Sequence, residues 1–184
     1  MTLLRCKVVV VGDARVGKSA LTQNFHSSVY PKNYVMTLGV DFSVKAVPIA
    51  GSGNTVELFV FDTSGEEMYD DIRRQCCANA NQVIAAFDMA ERSTYDNAKH
   101  WIAKIRDDLN RPGLPGVLVA CKSDLKEFAD VPTKEASDYA KSIGLEYFEC
   151  SALEGKNVEA PFLYIANAFN ASYEGKLEEL ASEL

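Results

Sequence analysis

Apolar and polar residues follow one another along the chain with two different periods, one typical of strands and one of helices. Apolar-rich runs, which are typical of strands buried on both faces, cover residues 6–11, 83–88, 117–122 and 147–150. Residues 41–49 instead alternate between apolar and polar positions, and residues 56–62 follow them after a turn-rich connector. This second pattern predicts an antiparallel hairpin.

Apolar residues at helical spacing fill most of the intervals between the strands. We predict helices over residues 18–26, 94–109 and 133–143, and a long final helix that Asn157 can cap. Strands that alternate with helices predict a parallel sheet with helices on both faces. Because the hairpin adds one antiparallel edge strand, the expected fold is α/β with a six-stranded, mostly parallel sheet.

Composition and charge exclude several classes of protein. The chain has 184 residues, of which 47% are hydrophobic and 24% charged, as in an ordinary globular domain. A formal net charge of −7 argues against nucleic-acid binding and against a polybasic membrane contact. We expect no signal peptide, no membrane span and no direct lipid anchor. Five scattered cysteines without a Cys-x-x-Cys pair favour a reducing, cytoplasmic compartment.

The most specific motif is a glycine-rich stretch between the first predicted strand and the first predicted helix. It reads Gly12, Asp13, Ala14, Arg15, Val16, Gly17, Lys18 and Ser19. Backbone N–H groups of such a loop can surround phosphate oxygens, and the helix N-terminus adds partial positive charge. Lys18 is placed to reach the β- and γ-phosphates, and the Ser19 hydroxyl to bind Mg²⁺. The alternative is a glycine-rich turn with an incidental lysine.

Polar motifs also follow three later strands. Residues 62–65 begin with Asp62, and an acidic residue beside bound phosphates can hold Mg²⁺, usually through water. Residues 122–124 and 151–152 end two further strands, at the edge where open α/β sheets bind ligands. Taken alone, each motif is also compatible with an ordinary turn or helix cap.

In their order and spacing, these motifs resemble the Ras superfamily of small GTPases, and within it the Rab branch, over residues 6–172. The resemblance implies the P-loop small GTPase fold, binding of GTP or GDP with Mg²⁺, and effectors at the switch loops. Thr37 then binds Mg²⁺, and Thr37 and Gly65 sense the γ-phosphate. Lys122 and Asp124 read guanine, as do Ala152 and the aromatic Tyr30 beside the base.

The expected site combines the phosphate loop with these residues. The nucleotide-binding set is Gly12, Asp13, Ala14, Arg15, Val16, Gly17, Lys18, Ser19, Ala20, Tyr30, Thr37, Gly65, Lys122, Asp124, Ser151 and Ala152. The metal-binding set is Ser19, Thr37 and, through water, Asp62.

Two positions depart from the family pattern. Glu66 replaces the glutamine that orients the attacking water, so that the catalytic positions are Thr37, Gly65 and a degenerate Glu66. A carboxylate cannot donate a hydrogen bond and adds negative charge near a triphosphate, which predicts a weak GTPase with slow hydrolysis. Cys121 replaces an asparagine of the guanine-reading motif, which predicts guanine preference with reduced affinity.

The final helix predicts a partner surface. Its apolar stripe comprises Phe162, Ile165, Phe169, Tyr173, Leu177, Leu180 and Leu184. We expect residues 1–172 to form the GTPase domain and residues 173–184 a helical extension that docks onto another protein. The alternative is a tail that folds back or frays.

Local strings, among them residues 114–119 and 160–162, resemble the Rab-like GTPases of the intraflagellar transport B complex. The resemblance implies a soluble subunit of the transport machinery of cilia and flagella, present also at their base. It further implies a heterodimer with a small β-sandwich subunit of the larger complex. Two alternatives stay open: an interaction module whose assembly is nucleotide-independent, and a P-loop phosphotransferase.

Overall fold

A computed structural model describes residues 2–31 and 33–182. Within these residues the sheet has six strands: β1 (Leu3–Val11), β2 (Val40–Pro48), β3 (Thr55–Thr63), β4 (Gln82–Asp88), β5 (Gly116–Cys121) and β6 (Glu146–Glu149). Their order across the sheet is β2-β3-β1-β4-β5-β6. Every neighbouring pair is parallel except β2 and β3, which form the antiparallel hairpin. The predicted α/β fold is therefore confirmed, with β2 as the antiparallel edge strand.

In the described part of the chain, α-helices cover α1 (Lys18–Ser27), α2 (Asp70–Cys77), α3 (Arg92–Asp108), α4 (Thr133–Ser142) and α5 (Ala160–Ser182). Short 3₁₀ turns cover Glu67–Tyr69 and Ser123–Phe128. The sequence did not predict α2, because this helix buries only Arg73 and Cys77 and so has no apolar stripe.

The predicted cap at Asn157 is wrong. The helix α5 begins at Ala160, three residues later, while Asn157 adopts a left-handed backbone with φ 58°. Its amide Nδ2 donates to the Glu149 carbonyl at 2.9 Å. Asn157 therefore closes the loop after β6, a role suited to a short polar side chain that tolerates the left-handed conformation.

Two apolar clusters cover the two faces of the sheet. One contains residues of α1 and α5, where the rings of Phe25 and Phe162 stack with centroids 3.9 Å apart. The other contains residues of α2, α3 and α4. Strands β4 and β5 are buried along their whole length between these layers. The layers leave the carboxyl ends of the strands accessible at one edge of the sheet.

The apolar stripe of α5 divides into a covered part and an exposed part. Its covered members are Phe162, Ile165, Phe169 and Tyr173, which are buried in or packed against the first cluster. Beyond them Leu177 is 47% exposed and Leu180 is 59% exposed. Leu184, the last predicted member, lies outside the described residues. No helix that the structure describes is both long enough and apolar enough to cross a membrane.

Candidate nucleotide-binding site

A cleft with two compartments lies at the carboxyl ends of β1, β3 and β5. The larger compartment, of about 320 Å³, is lined by the phosphate loop, by residues 30–31 and 33–37, and by the segment after β3. The smaller compartment has a volume of about 100 Å³. Four residues line both: Gly17, Ala20, Tyr30 and Lys122. Open α/β sheets bind ligands at this edge, so the cleft lies where the sequence predicted a site.

The phosphate loop packs tightly on β4 and surrounds a buried lysine. Gly12 has φ 143°, and a Cβ there would lie 2.2 Å from the Ala86 carbonyl oxygen, so that a side chain would displace the loop. Lys18 Nζ donates to the carbonyls of Gly12 at 2.8 Å and of Asp13 at 2.6 Å. Burial lowers the pKa of Lys18, and the nearby Asp62 carboxylate opposes that shift. The larger compartment therefore has a fixed cation in its wall.

Two hydroxyls and a buried carboxylate lie near this lysine. Ser19 Oγ and Thr37 Oγ1 are 2.9 Å apart although 18 residues separate them in sequence. Asp62 is buried, and neither of its carboxylate oxygens has a hydrogen-bond partner in the described part of the protein. Burial raises the pKa of Asp62 to about 6, against the opposing effects of the nearby Ser19 hydroxyl and of the Lys18 charge. Oxygen donors of this kind, with a buried carboxylate that lacks a protein partner, fit a Mg²⁺ ion.

In the smaller compartment, side-chain contacts fix Lys122 and Asp124. Lys122 follows β5 with a left-handed backbone of φ 62°, and its Nζ bonds the Asp88 carboxylate at 2.5 Å. The Ser151 hydroxyl donates to Asp124 Oδ1 at 2.5 Å. Ser151 itself is fully buried. The compartment therefore presents an oriented carboxylate that a neighbouring strand end supports.

Two neutral thiols also line the smaller compartment. Cys121 ends β5, and Cys150 comes one residue after β6, beside it in the parallel register. Burial raises the pKa of both thiols, that of Cys121 to about 12, and both cysteines are free. A neutral thiol is a weak hydrogen-bonding group. At position 121 the wall of the compartment therefore carries a weakly polar thiol, where the family pattern has the amide of an asparagine.

The segment after β3 lies against the phosphate loop. A Cβ on Gly65 would be 2.1 Å from the Ala14 backbone nitrogen, so the two backbones are in direct contact. The next residue, Glu66, is exposed and lines the larger compartment. Glu66, which the sequence predicted as a degenerate catalytic position, therefore directly follows the residue that contacts the phosphate loop.

The structure brings most of the predicted site residues to this cleft. Those lining the larger compartment are Ala14, Arg15, Gly17, Lys18, Ser19, Ala20, Tyr30, Thr37, Gly65, Glu66 and Lys122. The smaller compartment adds Asp124 and Ala152. Four predicted residues do not line either compartment and lie behind the lining: Gly12, Asp13, Val16 and Ser151. Asp62 lines a neighbouring groove between α1 and β2. The ligand-binding roles of these residues stay predictions.

Some lining residues were absent from the prediction. The ring of Tyr34 lies in the larger compartment, with the Arg15 guanidinium 5.8 Å from its centroid. Cys150 could have been found by aligning β5 and β6 in parallel register, which places it beside Cys121. Tyr34 had no comparable signal, because its segment has no regular secondary structure.

Comparison with known proteins assigns this architecture. A sequence model described as the Ras family matches residues 7–171, most of the chain. The chain belongs to the Ras family. As a class, Ras-family GTPases bind guanine nucleotides and Mg²⁺.

Similar Ras-family proteins include two named for intraflagellar transport. "Intraflagellar transport protein 27 homolog" of Bos taurus is 39% identical over 180 residues, 97% of this chain and 97% of that protein. "Intraflagellar transport protein 27" of Chlamydomonas reinhardtii is 40% identical over 181 residues, 95% and 88% of the two chains. "Ras-related protein Rab-11B" of Dictyostelium discoideum is 34% identical over 169 residues, 91% and 74%. The predicted resemblance to Rab-type GTPases and to those of intraflagellar transport is confirmed.

Proposed function

We propose that the chain is a Rab-like protein that binds GTP and GDP with Mg²⁺, hydrolyses GTP slowly and acts in intraflagellar transport. The observation that supports binding most directly is the convergence of Lys18, the Ser19–Thr37 hydroxyl pair and Asp124 on one cleft. These groups come from three separate stretches of the chain, and a guanine nucleotide has complementary chemistry for each of them.

The larger compartment accepts the phosphates. Lys18 and the backbone N–H groups of the phosphate loop bind the phosphate oxygens. Ser19 and Thr37 hold Mg²⁺ directly and Asp62 holds it through water, and when bound the ion supplies charge that neutralises the phosphates. Thr37 and the Gly65 N–H contact the γ-phosphate, so that the loops carrying them become ordered with GTP and are released with GDP.

The smaller compartment accepts the base. The Asp124 carboxylate accepts hydrogen bonds from the N1 and N2 groups of guanine, whereas adenine presents an acceptor at N1 and no amino group at C2. The Ala152 N–H donates to guanine O6, and the stem of Lys122 and the ring of Tyr30 pack beside the base. Because the Cys121 thiol replaces an amide, we expect micromolar rather than tighter affinity.

Hydrolysis is the weakest part of this site. A water that attacks the γ-phosphorus must be positioned, and charge must be stabilised as the bond to the leaving oxygen breaks. Glu66 can accept a proton or a hydrogen bond from the water but cannot donate to the phosphate, and its negative charge opposes the developing charge. We therefore propose an intrinsic rate below the ~10⁻⁴ s⁻¹ scale of unassisted Ras-like enzymes.

The exposed end of α5 supports a role as a subunit. After Glu174, whose carboxylate accepts from Asn54 Nδ2 at 3.4 Å, the described helix continues through Leu177 and Leu180 to Ser182. These eight further residues correspond to about 12 Å of helix. We propose that residues 173–184 dock onto a small β-sandwich subunit and thereby onto a larger transport complex. Effectors then use the switch loops, and the protein acts in the cytoplasm and in the cilium, including its base.

A second candidate is an interaction module whose assembly does not depend on the bound nucleotide. The observation that favours it is the pair of departures at Glu66 and Cys121, since both weaken the chemistry of a cycling switch. Equal partner affinity with GDP and with a non-hydrolysable GTP analogue supports this candidate at the interface tested, whereas unequal affinity supports a switch.

Titration of the purified full chain with fluorescent GDP, GTP and ATP, with and without Mg²⁺, tests nucleotide binding. We expect micromolar binding of both guanine nucleotides, tighter with Mg²⁺, and ATP at least about 100-fold weaker because Asp124 rejects it. Equal binding of ATP and GTP contradicts the guanine assignment. Identification of the subunits that co-purify with the native protein from ciliated cells tests the transport role.

A further inference from the structure

The phosphate loop has a side-chain connection to α3. Trp101, the only tryptophan of the sequence, donates from Nε1 to Asp13 Oδ1 at 2.7 Å. Asn97, one turn earlier on the same helix, donates from Nδ2 to Asp13 Oδ2 at 2.7 Å. Both oxygens of the Asp13 carboxylate are thus bonded to α3, which fixes the second residue of the phosphate loop from outside the cleft.

The ring of Trp101 also contacts α2, through Arg73. The Arg73 guanidinium lies over the indole ring, 4.4 Å from its centroid, and is only 4% exposed as a residue. Arg73 Nη1 donates to the Ser64 carbonyl at 3.1 Å, and the side chain pairs with Asp70. Burying a charged side chain costs free energy unless the charge has partners. The Arg73 guanidinium has three: a carbonyl, a carboxylate and an aromatic ring.

These contacts connect the segment after β3 to the phosphate loop by two routes. Ser64 is followed by Gly65, whose backbone touches that of Ala14 in the phosphate loop. The segment after β3 is therefore joined to the phosphate loop twice, directly at Gly65 and indirectly through Arg73, Trp101 and Asp13. None of the three side chains of the indirect path lines the cleft.

We propose that Arg73 is a positioning residue that, stacked on Trp101, sets the Ser64–Gly65 peptide against the phosphate loop and so selectively slows the release of a nucleoside triphosphate. The inference rests on the proposed function, in which the Gly65 N–H meets the γ-phosphate. GDP ends at the β-phosphate and does not reach this peptide. Loss of the bridge should therefore weaken retention of the triphosphate much more than retention of GDP.

The test compares dissociation rates of fluorescent GDP and a fluorescent non-hydrolysable GTP analogue from the full chain. For Arg73→Gln we expect the analogue to leave about five- to tenfold faster, because a charge-assisted hydrogen bond is lost, and GDP less than about twofold faster. Arg73→Lys keeps the charge but not the planar fork, so it should give a smaller change in the same direction and guards against loss of folding.

A matched control is available on α3 itself. The Arg106 guanidinium also donates to backbone carbonyls, those of Leu114 at 3.0 Å and Ile143 at 2.9 Å, away from the cleft. Arg106→Gln should lower the melting temperature without changing the ratio of the two dissociation rates. If Arg73→Gln changes both rates by the same factor, as this control would through lower stability, the positioning role is overturned.

The tryptophan supplies a second readout. Trp101→Phe keeps a ring beneath Arg73 but removes the donor to Asp13, so we expect about a two- to threefold change in the ratio. In the unmodified chain, exchange of GDP for the analogue should shift Trp101 emission, and Arg73→Gln should abolish this shift. If Arg73→Gln leaves both the Trp101 emission shift and the ratio of the two dissociation rates unaltered, the positioning role of Arg73 is overturned and the proposed function is not. Failure of the unmodified chain to bind either nucleotide overturns the proposed function and the bridge with it.

Discussion

The larger compartment of the cleft is lined by a lysine and a pair of hydroxyls that other parts of the fold fix in place, whereas the smaller one has neutral thiols beside its single oriented carboxylate. The two compartments share four residues, and under the proposed function one nucleotide occupies both. On that proposal, Glu66 is a degenerate catalytic position beside the phosphate compartment. We therefore expect retention of a nucleotide and its turnover to be separable in this protein.

Removing the buried lysine of the larger compartment should have the largest effect on nucleotide binding. Lys18→Ala should weaken GDP binding at least about 100-fold, because Lys18 is the buried cation that the Gly12 and Asp13 carbonyls hold in the phosphate loop. Fluorescence titration measures the loss. Lys45→Ala is the control, since the Lys45 ammonium also donates to a backbone carbonyl, that of Phe25, but outside the cleft. An affinity within about threefold of the original would mean that the phosphate compartment is not the binding site.

On the base side, the largest effect should follow from reversing the polarity of its carboxylate. Asp124→Asn presents a donor where guanine needs an acceptor, so GTP binding should weaken by about 30- to 100-fold. Xanthosine triphosphate, which has an oxygen in place of the guanine 2-amino group, should bind the variant better than GTP does. Competition titrations with the two nucleotides measure this exchange of preference, and a variant that still prefers GTP would contradict it.

The catalytic position should respond independently of binding. Glu66→Gln restores a donor and removes a negative charge, so single-turnover GTP hydrolysis should rise by about tenfold. GDP affinity should stay unchanged because GDP lacks the phosphate that this side chain faces. Glu67→Gln, one residue along in the same exposed segment, is the control. Equal rates for all three proteins would show that position 66 does not limit hydrolysis.

The smallest effect should come from repairing the base compartment. Cys121→Asn adds one amide to the wall, so GDP affinity should rise about fivefold, the worth of a single hydrogen bond. Cys150→Asn, on the neighbouring strand end, tests whether any amide in this compartment has the same effect. A fall in affinity for Cys121→Asn would indicate that the buried amide lacks a partner, and the thiol would then be a well-fitted residue rather than a defect.

Local patterns in the sequence predicted much of the fold and of the cleft. Apolar runs predicted four strands, the hairpin pattern predicted the other two, and glycine and lysine spacing predicted the phosphate loop, because these signals lie within a few residues. The sequence did not predict α2, whose buried positions are mainly an arginine and a cysteine. It also gave no sign of the Asp13–Trp101 bond, which spans 88 residues. Contacts of that kind depend on how helices pack on the sheet.

The turn of the β2–β3 hairpin connects the final helix to the middle of the fold. Asn54 Nδ2 donates to Asn170 Oδ1 at 2.9 Å, and Asn170 is buried in α5. At the opposite end of the same hairpin the chain enters from Thr37 and leaves at Asp62. Asn54 and the paired strands of the hairpin therefore link the final helix to the segments that would hold the metal ion, at the far end of the same hairpin.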